Sequence, residues 1–420
     1  MSRWLANVPR GWDGLRLKYC VHQIDNKVEQ FDDSEIYVGL ENVEPWTGTY
    51  LASGTAGLGE GTSNRFKAGD VLFGKLRPYL AKCLLAPFNG VCTSELLVLR
   101  PTLIEARYLQ FLMLSREWIE VVNSSTYGAK MPRASWGFIG NLQVPVPSAD
   151  EQRSIADFLS HETARIDELV AKKERLIELL GELHLRVIDD LIVPSCGIPS
   201  DWPTLGRYVV SMCDGPFGSD MKSSHYADAG IRLIRLQNIR RGFFDNNDQA
   251  FIAVEHFHEL PGHDARPGDV LVAGLGDPNN PVGRACLLPA HVELAMVKAD
   301  CFRVRMDERR VKHNFVSCYL NSDFARAEIG LQLRGATRER MNLSGLCKVR
   351  LPTPALDVQT HIVDQILASQ KKTDHTSEVV RKAINKLREY RTALISAAVI
   401  GQIDVNTYRK EPEAVLETIA

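Results

Sequence analysis

The sequence lacks the cysteine patterns that hold many small domains together. Its nine cysteines are scattered over 420 residues, and no Cys-x-x-Cys pair occurs. This distribution argues against a disulfide framework and against a structural zinc site, and it fits a reducing compartment. We therefore expect a cytoplasmic location.

Long apolar runs and a dominant charge are also absent. No stretch approaches the length of about 18 apolar residues that a membrane span needs, and Met1–Arg3 lead into polar sequence without a signal-peptide core. The hydrophobic content of 45% and the charged content of 24% are typical of a globular protein. Because the net charge is only −2, any binding to a polyanion must come from local clusters of basic residues.

What the chain does contain is an internal repeat. Residues 128–192 align with residues 335–399 at one constant offset of 207 (335 minus 128), without a gap. Upstream the offset shrinks to 199 at Gly69-Asp70, which matches Gly268-Asp269, and to 190 at the start of the chain. Tandem duplication of an ancestral half explains this pattern, and it predicts a molecule with approximate twofold symmetry.

Each half begins with a mixed, turn-rich part. Strand-like runs occur in matched pairs, namely Glu35–Leu40 with Ile231–Leu236, Asp70–Gly74 with Asp269–Ala273, Lys82–Ala86 with Arg284–Leu288, and Leu96–Arg100 with Asp300–Val304. Apolar spacing of three to four residues predicts one helix per half, at Glu105–Val122 and at Lys312–Gly330. We expect an α/β (α+β) globular domain in each half.

Each half then continues into a long helix. Paired prolines mark its beginning, and Ser148 or Asp150 can cap the first helix while Asp357 can cap the second. Apolar residues repeat at heptad spacing, interrupted by polar ones; those of the first helix are Leu159, Ile166, Leu169, Leu176, Leu180, Leu183 and Val187, and those of the second are Ile366, Val380, Leu387 and Leu394. One such stripe is usually a surface helix, but two matched stripes favour an antiparallel coiled-coil pair.

These periodicities divide the chain into five parts. We predict a first globular domain at 1–147, a first helical spacer at 148–193, a second domain at 194–354, a second spacer at 355–403 and a tail at 404–420. A helix of 35–40 residues is about 55 Å long. We therefore expect the helix pair to separate the two domains by a set distance.

Several motifs resemble catalytic sites, and we reject each of them. Gly69 to Lys75 has the spacing of a phosphate-binding loop, but Leu76 stands where that loop needs Ser or Thr. The run Asp277–Pro281 lacks the aromatic residue of a methyltransferase tetrapeptide, and the nearby histidines, His256, His258 and His263, lack metal-site spacing. We find no catalytic apparatus and no metal site.

Basic and amide side chains cluster at matched positions of the two halves. Arginine, asparagine and glutamine read base edges, whereas lysine suits phosphates. The candidates for DNA binding are Lys75, Arg77, Lys82, Lys130 and Arg133 in the first half, and Arg235, Gln237, Asn238, Arg240, Arg241, Arg334, Arg338 and Arg340 in the second. Any one of them could be an ordinary surface charge, but their recurrence just before both long helices favours a nucleic-acid surface.

With these features in place, the chain resembles the specificity (S) subunits of type I restriction–modification enzymes. The most specific segments are Gly69–Tyr79, Val144–Pro147 followed by Gln152, Gly215–Ser219, Ile231–Ile239 and Leu387–Val399. One departure is Val358, which stands where the first copy has Glu151.

The resemblance implies a non-enzymatic subunit that recognises a split, asymmetric sequence in double-stranded DNA and docks other polypeptides. Those partners would be modification (methyltransferase) subunits, two in number, and restriction subunits. S-adenosylmethionine, ATP and Mg²⁺ would bind to the partners and not to this chain. The alternatives are a self-contained DNA methyltransferase or nuclease with an unrecognised site, a coiled-coil protein scaffold, and a degenerate copy without partners.

Overall fold

The computed structural model describes residues 8–32, 35–52, 62–128, 130–196, 201–333 and 339–405. The chain forms two compact units. The first comprises Met1–Arg175 together with Val380–Ala420, and the second comprises Leu176–Val379. Each unit contains one sheet-rich domain and one segment of each long helix. The five boundaries drawn from the sequence remain predictions.

The strands of the first unit form three sheets. They are β1 (Asp13–Arg16), β2 (Val21–Ile24), β3 (Lys27–Val28), β4 (Tyr37–Val38), β5 (Ser63–Phe66), β6 (Val71–Gly74), β7 (Cys83–Leu85), β8 (Gly90–Thr93), β9 (Leu96–Pro101) and β10 (Gln143–Val146). The sheet orders are β1-β10, β2-β9-β6-β7 and β3-β5-β8-β4, and only the β4–β8 pair is parallel among the described strands of this unit. Strand β6 is buried along its whole length, so it forms the centre of the core.

The helices of the first unit are α1 (Leu17–Cys20), α2 (Ala106–Leu114), α3 (Arg116–Ser124), α4 (Trp136–Ile139) and the first part of α5 (Ala149–Cys196). The single helix predicted at Glu105–Val122 is therefore wrong. The chain breaks at Ser115, whose backbone is extended and whose hydroxyl accepts the N–H of Trp118. A serine in this position starts a new helix because its side chain satisfies a free N–H.

The second unit repeats this plan with strands β11 (Val209–Cys213), β12 (Tyr226–Ala227), β13 (Ile231–Ile234), β14 (Phe251–Ile252), β15 (Asp264–Ala265), β16 (Val270–Ala273), β17 (Ala285–Leu287), β18 (Ala295–Val297) and β19 (Cys301–Met306). The sheet orders are β11-β19-β16-β17 and β12-β14-β13-β18-β15. The β13–β18 pair is parallel, as is the β4–β8 pair at the matched position of the first unit. The repeat seen in the sequence is thus a repeat of topology.

The helices of the second unit are α6 (Val254–Glu259), α7 (His313–Leu320), α8 (Asp323–Gly330), α9 (Leu343–Lys348) and part of α10 (Leu356–Val399). The helix predicted at Lys312–Gly330 is also wrong, since it breaks at Ser322. The hydroxyl of Ser322 accepts the N–H of Ala325 at 3.0 Å. Both halves therefore contain the same capped break.

The Gly-Asp turn has the same structural task in both units. The carboxylate of Asp70 receives two hydrogen bonds from Arg100, at 2.8 and 2.8 Å. Asp269 receives the equivalent pair from Arg305, again at 2.8 and 2.8 Å. A bidentate pair of this kind fixes the turn to the neighbouring strand. It explains why this motif is a strand signature and not a phosphate-binding loop.

A capping box begins α5. The backbone N–H of Ser148 donates to the Glu151 carboxylate at 3.0 Å, and the Glu151 N–H donates back to the Ser148 hydroxyl. The prediction of Ser148 as the cap is confirmed. Asp357 is not the cap of the second helix, because α10 already begins at Leu356.

A buried glutamine attaches each long helix to its domain. Gln152 accepts the backbone N–H of Glu105 at 2.6 Å and donates to the carbonyl of Pro147 at 2.9 Å. Gln359, at the matched position, accepts the N–H of Lys312 at 2.9 Å. Buried backbone groups need such partners, so these two glutamines fix where each helix leaves its domain.

Within the first unit the two long helices pack against each other in antiparallel orientation. Asp167 of α5 forms an ion pair with Arg391 of α10 at 2.9 Å, and Glu174 pairs with Arg388 at 2.8 Å. Residue numbers rise along one helix as they fall along the other. The predicted antiparallel coiled-coil pair is confirmed.

The heptad positions differ in burial. Most are buried or half-buried; the fully buried ones are Leu159, Ile166, Ile366, Val380, Leu387 and Leu394, and the half-buried ones are Leu169, Leu180 and Val187. Leu176 and Leu183 remain 42% and 57% exposed. Their role in the coiled coil or in partner binding remains a prediction.

Candidate nucleic-acid interface

In the first unit the segment after β6 lies beside the loop that precedes α4. The N–H of Ala134 donates to the carbonyl of Lys75 at 2.9 Å, and the N–H of Arg77 donates to the carbonyl of Pro132 at 2.8 Å. Two basic clusters that are more than 50 residues apart in the sequence are thereby joined. Exposed Lys130 lies in the same loop.

The second unit repeats this junction at the matched positions. The N–H of Met341 donates to the carbonyl of Gly274 at 2.8 Å, and the N–H of Gly276 donates to the carbonyl of Glu339 at 3.2 Å. Arg340 lies between these two bonded positions. The same backbone pairing thus presents one basic loop in each unit.

An ion pair holds each of these loops. The guanidinium of Arg133 contacts the Glu95 carboxylate at 3.1 Å, and that of Arg340 contacts Asp300 at 2.7 Å. Arg340 also lies over the ring of Phe217, at 5.3 Å from its centroid. Because these arginines are partly exposed, the pairs contribute little to stability. Their main effect is to orient the side chains.

Lys82 has a structural role, which corrects its prediction as a DNA contact. Its ammonium donates to the carbonyl of Leu40 at 2.6 Å, and burial lowers the pKa of Lys82. Arg284, the matched residue, donates to the carbonyl of Leu236 at 2.9 Å. Both cations therefore hold the same short 3₁₀ turn from the inside.

Asn238 is also structural, which corrects a second prediction. It is 0% exposed, and its amide donates to the carbonyls of Asp245 and Asp248 at 2.9 and 2.8 Å. Its oxygen accepts the N–H of Arg235 at 2.8 Å. With these bonds made inside the protein, Asn238 presents no face to a base edge.

The three arginines around this turn are oriented by internal partners. Arg235 is paired with Asp248, and Arg240 donates to the Asn280 side chain at 2.7 Å. Arg241 donates to the carbonyl of Asn321 at 2.9 Å, and burial lowers its pKa. The side chains of Arg235, Arg240 and Arg241 are 22%, 33% and 25% exposed, so all three remain candidates for DNA binding.

The remaining candidates for DNA binding differ in their solvent exposure. Arg77, Lys130 and Gln237 are exposed, and Lys75 is half-buried. Arg334 and Arg338 lie outside the described residues. The DNA contacts of these side chains remain predictions.

Sequence reasoning missed Asp277 and Asn280 as site residues. They form a loop next to Gln237 and Arg240, and together these side chains surround a polar cleft. The available signal was the repeat itself, because the offset grows from 199 at Leu76 (275 minus 76) to 202 at Lys82 (284 minus 82). Three additional residues in the second unit build this loop.

Among the residues that the structure describes, no group of three or more His, Cys, Asp or Glu side chains is placed to hold a metal ion. His256 contacts the backbone carbonyl of Asp220 at 2.9 Å and the carboxylate of Glu259 at 3.0 Å. None of the described helices combines the length and the apolar character that crossing a membrane requires.

Two repeated sheet domains in one chain, each with part of a long antiparallel helix pair, define a class of duplicated α/β proteins with coiled-coil helices. Comparisons with known proteins show which members of this class the chain is similar to. Residues 27–179 match the family model described as the type I restriction modification DNA specificity domain.

Full-length similarity agrees with the domain match. The type I restriction enzyme MjaVIII specificity subunit of Methanocaldococcus jannaschii is 20% identical over 433 residues, covering 95% of this chain and 94% of that protein. The EcoBI specificity subunit of Escherichia coli is 20% identical over 324 residues, covering 71% and 66%. Along nearly its whole length the chain is similar to a type I restriction enzyme specificity subunit.

A solved structure supports the fold. It is described as the structural basis underlying complex assembly and conformational transition of the type I R-M system. It superposes with a TM-score of 0.70 at 19% identity, covering 94% of this chain and 99% of the other. The fold is therefore shared along nearly the whole chain.

Proposed function

We propose that this chain is the sequence-specific DNA-binding subunit of a type I restriction–modification complex. Each unit reads one half of a bipartite target through its basic loop. The observation that carries this proposal is the repeated junction in which residues 75–77 pair with 132–134 and residues 274–276 pair with 339–341. The same scaffold thus presents two loops of different sequence.

The difference between the loops supports an asymmetric target. Lys75 and Arg77 of the first unit are replaced by Gly274 and Gly276 at the matched positions of the second. Glu41 is replaced by Gln237. Because base recognition depends on the donors and acceptors presented, two half-sites of different sequence are expected.

The proposed role is recognition without catalysis. The relatives are named as specificity subunits of restriction enzymes. We propose that modification subunits, two per chain, dock on this protein and supply S-adenosylmethionine and the methyl-transfer residues. Restriction subunits would supply the sites for ATP and Mg²⁺ and the cutting activity.

The long helices offer a surface for such partners. Leu176 and Leu183 of α5 are exposed at 42% and 57%, and Val379 of α10 is exposed at 53%. Apolar side chains this exposed on long helices favour helix-to-helix docking. This surface is where we propose that the modification subunits bind.

The first experiment is an exchange of the first domain. Replacing residues 1–143 with those of another family member should change one half of the methylated sequence and leave the other half as it was, because each unit reads its own half-site. Genome-wide mapping of methylated positions, in cells that also produce the modification subunits, gives the answer directly.

Two results would contradict the proposal. A change in both halves of the target would exclude independent readers. Methylation or cleavage of DNA by the purified chain alone would show that it is an enzyme, as in the alternative of a self-contained methyltransferase or nuclease. The unexchanged chain, produced with the same modification subunits, is the matched control.

A further inference from the structure

The second unit contains a polar cleft that the repeat does not predict. Its volume is about 380 Å³, and it is lined by Leu236, Gln237, Arg240, Leu275, Gly276, Asp277, Asn280 and Arg284. The cleft lies next to the basic loop, because the Gly276 N–H is the group that donates to Glu339 at 3.2 Å. It therefore adjoins the surface that we propose to face DNA.

The loop that builds the cleft is held rigidly. The Asp277 carboxylate accepts the backbone N–H groups of Asn279 and Asn280, both at 2.9 Å. The buried guanidinium of Arg284 donates to the carbonyls of Asn280 and Pro281 at 3.1 and 3.0 Å. Such fixed geometry reduces the ordering cost of binding.

The three added residues also explain a glycine. Arg77 of the first unit corresponds to Gly276 of the second unit, because the two residues are separated by the local repeat offset of 199 (276 minus 77). A Cβ at Gly276 would lie 2.8 Å from the carbonyl oxygen of Asn280. The added loop occupies the space that a side chain at position 276 would need. The second unit therefore has a cleft where the first unit has the cation of Arg77.

Gln237 and Arg240 supply an amide and a guanidinium to the cleft. Gln237 is exposed on the 3₁₀ turn Leu236–Asn238, which buried Asn238 and Arg284 hold from below. Arg240 is fixed between Asn280, at 2.7 Å, and Asp245, at 3.3 Å. A glutamine amide offers one donor and one acceptor side by side, which matches N7 and N6 of adenine in the major groove.

We infer that this cleft is the base-reading site of the second unit and that Gln237 is a specificity-determining residue that selects adenine. This inference rests on the proposed function. Arg240 supplies the positive charge that attracts the phosphate backbone to the cleft. Asn280 acts on DNA only through Arg240, so it is a positioning residue.

The first unit reads DNA differently at the matched position. Glu41 replaces Gln237, and its carboxylate lies against the backbone of Gly39, where a Cβ would be 2.1 Å from Oε1. A carboxylate offers acceptors only. The amide reader is therefore specific to the second half-site.

The experiment uses the full chain assembled with its modification subunits. Gln237→Ala and Gln237→Glu are compared with Gln249→Ala, an exposed glutamine of the same unit outside the cleft. Affinity is measured for the target and for duplexes with each position of one half-site changed, and methylated sequences are mapped across the genome. Asn280→Ala tests the positioning of Arg240.

The expected result is confined to one position. Both Gln237 variants should lose roughly 10- to 100-fold in discrimination at one adenine of one half-site, with the other half-site unchanged. Asn280→Ala should weaken binding to all sequences without changing the ranking of bases, and Gln249→Ala should behave as the wild type.

Two results overturn the inference, and they are distinguishable. Wild-type discrimination at every position in both Gln237 variants would exclude the cleft while leaving the proposed function intact. Absence of sequence preference in the wild-type complex would exclude the proposed function itself, and the inference with it. Because Gln237 is exposed, thermal unfolding of both variants should match that of the wild type and serves as the folding control.

Discussion

Side chains at matched positions of the two units can have the same role even where the residue type differs. Lys82 and Arg284 both donate to the carbonyl of the matched leucine, Leu40 or Leu236. Lysine makes one such contact in the first unit, whereas arginine reaches further carbonyls in the second. What the duplication preserves is the hydrogen bond and not the residue type.

One half-buried acid makes stability depend on pH. Burial raises the pKa of Asp214 from 3.8 to about 6, and the carboxylate of Asp300 adds to the effect. Because the folded state holds this proton more tightly than the unfolded chain, the stabilising contribution is complete below pH 3.8 and is lost as the pH rises through about 6. At neutral pH the ionised carboxylate destabilises the second unit.

Asp214→Asn should therefore stabilise the second unit at pH 8 and have little effect at pH 4. The amide oxygen can still accept the Gly215 N–H, which Asp214 accepts at 2.7 Å. After allowance for solvent screening we expect a gain of about 1 kcal/mol, or a rise of a few degrees in Tm. Calorimetry at the two pH values measures it, with exposed Asp228→Asn as the control. An equal effect at both pH values would contradict this assignment.

At the scale of the element, the helix pair is fixed to the first unit by one buried arginine. Arg391 is 6% exposed and joins the Asp167 carboxylate, at 2.9 and 3.1 Å, to the carbonyl of Trp46 at 2.9 Å. Arg388 makes only an exposed pair with Glu174. The two arginines, one turn apart, therefore differ strongly in what they stabilise.

Arg391→Met should destabilise the first unit by about 2–3 kcal/mol, because it leaves a part-buried carbonyl and a half-buried carboxylate without their donor. Arg388→Met should cost less than about 1 kcal/mol, since exposed ion pairs contribute little. Urea unfolding followed by tryptophan fluorescence compares the two variants. Equal losses would show that the buried contacts of Arg391 do not stabilise the unit.

The elements that the sequence predicted well are those with strong local signals. Val71–Gly74 and Val270–Ala273 are apolar runs after a Gly-Asp turn, and both are strands. The breaks at Ser115 and Ser322 escaped prediction, because each serine lies inside an otherwise helical spacing of apolar residues.

The candidate site was less predictable than the fold. A list of basic residues does not distinguish a cation that faces solvent from one that faces a carbonyl. Lys82 appears in the sequence as one more member of a basic cluster, and only its contact with Leu40 reveals its role. The cleft around Gln237 depends on a three-residue insertion whose conformation no local pattern specifies.

At the scale of the whole molecule, the length of the helices is expected to set the gap between half-sites. Inserting one heptad into both α5 and α10, after Arg175 and after Val379, adds about 10 Å of helix. At 3.4 Å for each base pair this corresponds to about three base pairs. The boundary between the units falls at these two points, so the insertion spares both domains.

The methylated motif should then keep both half-sites and gain up to about three base pairs between them. Genome-wide methylation mapping measures the gap. Insertion of a heptad into α5 alone, which would disturb the packing of the pair, is the control. An unchanged gap in the double insertion would refute a spacing role for the helices.

The first unit is assembled from two distant stretches of chain, and this has a consequence during synthesis on the ribosome. Its residues 1–175 are made first, but they lack the segment that begins at Val380 until the second unit has been translated. The hydroxyl of Tyr108 donates to the carbonyl of Val399 at 2.9 Å. This hydrogen bond cannot form until Val399 has been synthesised. Domains usually complete their folding in the order of translation. Here the second unit is the first to have all its residues. A product that terminates before Val380 therefore lacks a complete first unit, although most of that unit was made earlier.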